Sequence, residues 1–235
     1  MFSNHIKSFE KLNAAGIPLD PLDGYVTPPQ IAHAYYMPEH TGADVRVGII
    51  SLGGGWLQSD INQSMDDLGL PHPTITQVLL NGATGDFQSD LNSSLENTLD
   101  IYCVAATIPE ADIRIYITEN SLQGFSNAIF LAIEEECDVI SISWGLSESV
   151  LVEFDIGDFL KNALDTASAR KISVFVASGD YGSAAESYDT EPFAGYPASS
   201  PQVTAVGGTT LLLNEYNERD TEVADRNSAI SSAIS

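Results

Sequence analysis

An alternation of apolar, β-branched runs with amphipathic segments constrains the fold of this chain most strongly. The runs typical of buried strands are VRVGIISLG, ITQVLL, DIRIYIT, DVISISWG, ISVFVASGD and PQVTAVGG. Helical patterns such as LQSDINQSMDDLG and LQGFSNAIFLAIEEE separate most of them. Near-continuous apolar strands joined by helices indicate a mostly parallel sheet that is covered on both faces. We therefore predict an α/β, doubly wound fold with its site at the carboxyl ends of the strands, where Gly53–Gly55, Trp144 and Asp180 occur.

Two acidic residues, Glu96 and Asp100, lie four positions apart in the segment SSLENTLDIYCVAA. On a helix this spacing places both side chains on one face, where acidic residues usually form a solvated surface. Here Leu95, Leu99, Cys103 and Ala106 form an apolar line, and much of the remaining helix surface is apolar as well. The pattern therefore favours a buried helix, in which neighbouring carboxyls share a proton and serve as a general acid and base.

Asp180 ends the apolar run VFVASGD and precedes a glycine and small residues. A carboxyl at such a strand end either caps a simple turn or, when it is protonated, donates a hydrogen bond to a developing oxyanion. The glycines at 53–55 either turn the chain or approach a substrate backbone, and the first interpretation is favoured because no nucleotide-binding pattern surrounds them.

The charge of the chain excludes two classes of partner. Its 33 acidic residues stand against 9 lysines and arginines, a formal net charge of −24. Such a chain repels nucleic acid and anionic membranes, so neither is a predicted partner. The acidity fits either a halophilic or solubilising surface or a protein built for acid pH, where many carboxyls are protonated.

No residue spacing indicates a metal or cofactor site. Cys103 and Cys137 lie in apolar or helical surroundings and are predicted to be packed thiols, and the four histidines have no ligand spacing. The N-terminal segment MFSNHIKSFEKLNAAG has no apolar core of an export signal, so the sequence by itself assigns no localisation.

Several motifs in order resemble the sedolisin (serine-carboxyl peptidase) family, in its kumamolisin-like branch. They are TPPQIAHAYYMP, VGIISLGGG, the Glu-x-x-x-Asp helix, VISISWG, VASGDYGS and YPASSPQVTAVGGTTL. The resemblance covers residues 27–213, which we predict to be a partial peptidase domain with a subtilisin-like fold. Residues 1–26 are predicted to be an arm or linker, and residues 214–235 a divergent tail.

The resemblance implies a role for each matching residue. Glu96 corresponds to the general base that takes the serine proton, Asp100 to the carboxylate that orients it, and Asp180 to the oxyanion-hole aspartate. Trp144 and Gly145 correspond to residues beside the substrate, although Trp144 is equally typical of a core aromatic at a strand end. The implied activity is a serine-type endopeptidase, a hydrolase acting on peptide or protein substrates at acid pH.

The chain departs from the family pattern in several places. The family's nucleophile lies in a Gly-Thr-Ser segment downstream, which these 235 residues do not contain. The family's calcium-binding loops are also expected further downstream, so no calcium site is assigned. Gln58 stands where an additional acid commonly hydrogen-bonds to the carboxyl pair; it can hydrogen-bond but cannot carry a proton.

These departures leave alternative functions open. The chain is a peptidase domain truncated at its C-terminal side and inactive alone, a catalytically dead peptide-binding protein, or one part of a split enzyme completed by a C-terminal chain. The family implies secretion, but no leader is recognised here. A domain lacking its remaining strands would expose a sheet edge and apolar faces, so we also expect marginal stability.

Overall fold

The computed structural model describes residues 26–154, 158–182 and 192–224. Its helices are α1 (Pro28–Ala34), α2 (Gln58–Leu68), α3 (Leu91–Thr107), α4 (Leu122–Glu134), α5 (Glu148–Phe154) and α6 (Asp158–Ala169). Its strands are β1 (Arg46–Ser51), β2 (Ile75–Leu79), β3 (Asp112–Ile117), β4 (Val139–Ile142), β5 (Leu146–Ser147), β6 (Ser173–Ala177), β7 (Gly195–Tyr196), β8 (Thr204–Val206), β9 (Thr209–Leu213) and β10 (Arg219–Ala224). The predicted N-terminal arm lies almost entirely outside the described residues.

The strands form a parallel sheet in the order β2-β3-β1-β4-β6-β8. All five strand pairs of this sheet are parallel. Strand β1 lies inside the sheet, with β3 and then β2 on one side of it and β4, β6 and β8 on the other. The chain therefore forms one side of the sheet before it crosses to the other. This order confirms the predicted doubly wound, mostly parallel sheet.

Helices cover both faces of the sheet, as predicted. On one face, α2 and α3 bury an apolar cluster that contains Ile49, Ile61, Met65, Ile101 and Ile115. On the other face, α4 and α6 bury a second cluster that contains Ile50, Phe125, Ile129, Leu164 and Val176. Neighbouring residues of β1 enter opposite clusters because side chains alternate along a strand.

The β8 edge of the sheet is less covered than its centre. All three residues of β8 are exposed, with Val206 at 48 % of its full accessible surface. Phe175 of the neighbouring strand β6 is 39 % exposed, whereas Val174 and Val176 are buried. Apolar side chains therefore remain open to solvent on one face of β6 and along β8.

A separate antiparallel hairpin follows the main sheet. It pairs β9 with β10, with Leu211 opposite Glu222. The hairpin continues past residue 213, where we drew the boundary between the domain and its tail. That boundary stays a prediction, and residues 225–235 lie outside the described residues.

The glycine turn after β1, Gly53–Gly55, is tightly packed against its surroundings. A Cβ on Gly55 would lie 2.2 Å from the carbonyl oxygen of Gly85, and one on Gly54 would lie 2.6 Å from the amide nitrogen of Ser94. Gly53 and Gly54 also adopt positive φ angles, which side chains disfavour. The turn is therefore glycine-rich because the backbone must pass close to the start of α3.

Gly55→Ala is expected to lower the free energy of unfolding by about 3 kcal/mol, because the added methyl group would force Gly85 away. The matched control is Gly69→Ala, since Gly69 has a left-handed φ of 67° but open space around it. It should lose only about 1 kcal/mol from backbone strain. Urea unfolding of both variants at mildly acid pH makes the comparison, and equal losses would contradict the close-packing explanation.

Candidate active site

Helix α3 begins at a well-capped N-terminus beside the glycine turn. The Asp90 carboxylate accepts hydrogen bonds from the backbone N–H groups of Asn92 and Ser93, at 3.1 and 3.2 Å. The Ser94 hydroxyl accepts a hydrogen bond from the Gly55 N–H at 2.9 Å. These contacts fix the start of the helix relative to the end of β1, as an N-cap does in general.

Asn97 makes the second connection between α3 and the glycine turn. It is completely buried, and its amide group donates to the carbonyl oxygens of Gly53 and Gly55, at 3.0 and 3.1 Å. Because Asn97 lies directly after Glu96, these two bonds set the rotation of the helix that presents the carboxyl pair. Our sequence reasoning missed Asn97, since nothing in its spacing indicates a partner more than forty residues away.

Glu96 and Asp100 are both buried, with 6 % and 9 % of their surfaces exposed. Burial is the main cause that raises the pKa of Glu96 above its ordinary value of 4.5, and the nearby charges of Asp100 and Asp180 raise it further. Burial likewise raises the pKa of Asp100. The predicted helix face thus holds a carboxyl pair that keeps protons at pH values where ordinary carboxyls have lost them.

Ser143 contacts this pair from the end of β4. Its hydroxyl donates a hydrogen bond to Asp100 Oδ1 at 2.7 Å, which opposes the rise in the pKa of Asp100. The same hydroxyl also opposes the rise in the pKa of Glu96. Asp100 Oδ2 is buried without a hydrogen-bond partner within the described ranges. Our sequence reasoning did not identify Ser143, although it lies inside the motif SISWG.

Asp180 lies just beyond the carboxyl end of β6 and is exposed. Its charge acts on Glu96, so the fold brings the third predicted carboxyl to the same end of the sheet as the pair. Asp180 is therefore accessible to solvent, whereas Glu96 and Asp100 are almost completely buried. The three carboxyls thus form a cluster of acid–base groups at the site predicted for parallel sheets.

Comparison with known proteins assigns this arrangement to a family. Residues 95–233 match the subtilase family, Peptidase S8. The chain is also 35 % identical over 201 residues to kumamolisin of Bacillus sp. (strain MN-32). This chain is a subtilase of the sedolisin branch. The predicted resemblance and the predicted subtilisin-like fold are thereby confirmed, and the chain belongs to the serine-carboxyl peptidase family.

A second relative and a solved structure show which share of a sedolisin's length this chain covers. It is 28 % identical over 183 residues to sedolisin of Pseudomonas sp. (strain 101). The structure of Pseudomonas sedolisin complexed with two molecules of pseudo-iodotyrostatin superposes with a TM-score of 0.75 at 23 % identity, over 88 % of this chain and 60 % of that one. The match spans 83 % of this chain but 36 % of kumamolisin, and 73 % of this chain but 31 % of sedolisin.

Trp144 and Gly145, predicted from the sedolisin pattern to lie beside the substrate, occupy structural positions. Trp144 is 2 % exposed and packs in the cluster under α4 and α6, and its indole N–H has no partner in the described part of the chain. A Cβ on Gly145 would lie 3.0 Å from the Tyr196 carbonyl oxygen. A role of these two residues in substrate contact stays a prediction.

Gln58, which replaces the additional acid of the sedolisin pattern, does not take part in the carboxyl cluster. It begins α2 on the surface, and its amide donates to Asn62 Oδ1 at 2.8 Å. Its predicted capacity to hydrogen-bond is therefore used within its own helix. The pKa of Glu96 is raised by burial and then by the charges of Asp100 and Asp180, without a contribution from Gln58.

One prediction about the cysteines is wrong. Cys137 is buried, as expected for a packed thiol, but Cys103 is exposed on α3. The line Leu95, Leu99 and Cys103 is therefore not the most buried side of the helix. That side carries polar residues together with apolar ones, namely Ser93, Ser94, Glu96, Asn97, Asp100, Ile101, Ala105 and Ala106.

In the ranges 26–154, 158–182 and 192–224, no group of three His, Cys, Asp or Glu side chains is arranged to hold a metal ion. Within the same ranges, no helix is both long and apolar enough to cross a membrane.

Proposed function

We propose that the chain is the base-bearing part of a serine-carboxyl endopeptidase that hydrolyses peptide bonds at acid pH. The observation that supports this most directly is the buried pair of Glu96 and Asp100, held at the carboxyl end of a parallel sheet. Membership of the sedolisin branch supplies the reaction class. Peptide or protein substrates follow from that class.

Each carboxyl of the cluster has a distinct role in this proposal. Ionised Glu96 takes the proton of a serine hydroxyl as the serine attacks the peptide carbonyl. Asp100 stabilises the proton on Glu96 because the two groups share it. Asp180, when protonated, donates a hydrogen bond to the oxygen of the tetrahedral intermediate. Glu96 then returns the proton to the leaving amine, and water hydrolyses the acyl-enzyme in the same way.

Acid pH suits this set of groups better than neutral pH. A histidine base would be protonated in acid, whereas a carboxyl pair can hold one proton between its two members while the other stays ionised. Because burial raises the pKa of both carboxyls in this chain, the proposal requires that one of them is ionised in the completed enzyme at acid pH. The oxyanion donor Asp180 must carry its proton, and low pH favours the protonated form of any carboxyl.

The serine must come from a polypeptide segment that these 235 residues do not include, since they contain no Gly-Thr-Ser sequence. The exposed apolar residues of β6 and β8, Phe175 and Val206, provide a face against which such a segment packs. Alone, the chain is expected to be inactive. The missing motif equally supports a second candidate, a protein that binds peptides without cutting them.

Complementation tests the proposal. The chain is mixed with, or fused to, the C-terminal part of a sedolisin-family catalytic domain that carries the Gly-Thr-Ser segment. Hydrolysis of an internally quenched peptide at about pH 4, near the ordinary carboxyl pKa, is expected for the combination and for neither part alone. Serine-to-alanine substitution in the added part is the control. Peptide binding without hydrolysis, in a combination that assembles, would instead favour the peptide-binding protein.

A further inference from the structure

The hairpin of β9 and β10 is joined by side-chain contacts to α1, which lies far away in the sequence. The Glu222 carboxylate of β10 accepts a hydrogen bond from the Tyr35 hydroxyl, directly after α1, and another from the Thr209 hydroxyl of β9, the latter at 2.8 Å. Its second oxygen lies 3.3 Å from a guanidinium nitrogen of Arg219. That guanidinium also lies over the Tyr35 ring, 5.7 Å from the ring centre. One carboxylate therefore connects a helix to both strands of the hairpin.

A second contact joins the start of α1 to the turn of the hairpin. The Gln30 amide group donates to Asn217 Oδ1 at 3.1 Å. Its oxygen accepts from the backbone N–H of Thr27 at 2.9 Å, so the same side chain also caps α1. Asn217 has a left-handed φ of 59°, and its N–H donates to the carbonyl oxygen of Asn214 within the turn. Helix α1 therefore contacts the hairpin near both of its ends.

Helix α1 in turn packs against α3, which carries the carboxyl pair. Helix α3 lies over β1 and β3, whereas Asp180 follows β6, which is separated from β1 by β4. The hairpin begins at Thr209, three residues after the end of β8, and β8 is the neighbour of β6. The contacts thus form a connection from β8 through the hairpin and α1 to α3, in addition to the sheet itself.

We propose that Tyr35 and Glu222 are positioning residues that close the hairpin on α1 as a clasp, and that this clasp holds α3 in place relative to β6 and β8. The effect of the clasp on catalysis rests on the proposed function, but the clasp itself does not. The hydrogen bond from Tyr35 is the main cause that lowers the pKa of Glu222. The carboxylate therefore stays charged below the ordinary carboxyl pKa, and the clasp is retained in the acid range in which the carboxyl cluster is proposed to act.

Hydrogen exchange of backbone amides, followed by mass spectrometry at one mildly acid pH, tests the clasp. Glu222→Ala should speed exchange in α1 by about 2- to 5-fold, the effect expected of exposed polar contacts. Tyr35→Phe keeps the ring but removes the donor, and should speed exchange in the hairpin by a similar factor, although the two residues are 187 positions apart. The matched control is Asp220→Ala, which removes an exposed acid from the same strand and should leave α1 unchanged. Unchanged exchange in α1 for Glu222→Ala, or an equal change for Asp220→Ala, would overturn the clasp.

A ¹³C NMR titration of the Glu96 side chain tests whether the clasp positions α3, with Glu96→Gln to assign the signal. Burial is the main cause that raises the pKa of Glu96, so a less firmly held α3 should let water reach the carboxyl and lower its titration midpoint. The expected shift in Tyr35→Phe is about half a pH unit, because contacts of this kind correspond to less than one unit.

Asp220→Ala should leave the Glu96 midpoint where it is. A midpoint unchanged in Tyr35→Phe, while exchange in the hairpin is faster, would overturn the positioning role. If Glu222→Ala does not fold, Tyr35→Phe carries both measurements, and unchanged exchange in the hairpin then overturns the clasp. No peptide substrate is used, so a failure of the proposed peptidase activity would alter neither result.

Discussion

Glu96→Gln is expected to lower kcat of the complemented enzyme by about 10²–10⁴-fold, the usual contribution of a general base. Glutamine has nearly the same shape as glutamate and can fill the same buried space beside Asp100, so the fold should be preserved. It cannot take a proton from the attacking serine, and this is the only function that the substitution removes. KM should change little, because the lost interaction belongs to the transition state.

The matched control is Glu39→Gln, which removes one negative charge from an exposed position outside the cluster. Its kcat should equal that of the unmodified enzyme at every pH tested. The measurement is hydrolysis of a quenched peptide between acid and neutral pH for all three proteins. Full activity of Glu96→Gln would exclude the carboxyl-pair mechanism even if the complemented protein is a peptidase.

The sequence was sufficient to predict the sheet and the carboxyl cluster, because both depend on local patterns. Apolar strands alternating with helices indicate a parallel sheet, and the ends of its strands meet at one edge. The spacing of Glu96 and Asp100 places them on one helix face whatever the surroundings. Asp180 could be placed at the same edge because it directly follows an apolar strand.

The local pattern failed where burial depends on residues that are distant in the chain. The apolar residues of α3 led to the prediction of a buried helix, but Cys103 is exposed and the buried side of the helix includes the polar residues Ser94 and Asn97. Asn97 is buried because the glycine turn packs on it, and Asp100 is buried with Ser143 donating to it. Neither contact has a signature in the helix itself, since hydrophobic periodicity records only apolar side chains.

The stability of the chain is expected to fall as pH rises from acid to neutral, because the carboxyl pair is more weakly acidic when folded than when unfolded. The unfolded chain loses these protons near the ordinary carboxyl pKa, whereas burial raises the pKa of Glu96 and Asp100 in the folded chain. Between the two values the folded state holds more protons. Stability from this source is complete below the ordinary pKa and is lost as pH rises through the raised one.

Each proton that only the folded state retains should lower the free energy of unfolding by about 1.4 kcal/mol per pH unit. The variant Glu96→Gln/Asp100→Asn has no carboxyl at these positions, so its stability should depend less on pH and exceed that of the unmodified chain at neutral pH. Urea unfolding at several pH values between about 5 and 8, the range in which most proteins are stable, measures both slopes. Glu39→Gln reports the general effect of one charge fewer on this acidic chain.

The pH dependence of unfolding also distinguishes between two causes of the expected marginal stability, exposed apolar surface and the buried carboxyl pair. Exposed apolar surface on β6 and β8 weakens the chain at every pH, whereas the buried pair weakens it only above the ordinary carboxyl pKa, where the unfolded chain loses the two protons. A cooperative transition in acid that becomes broad at neutral pH, and is restored there by Glu96→Gln/Asp100→Asn, would assign the weakness to the carboxyl pair. A sharp monomeric transition at neutral pH in the unmodified chain would contradict marginal stability altogether. Equal pH slopes in the unmodified chain and the double variant would show instead that the pair is solvated and retains no extra proton on folding.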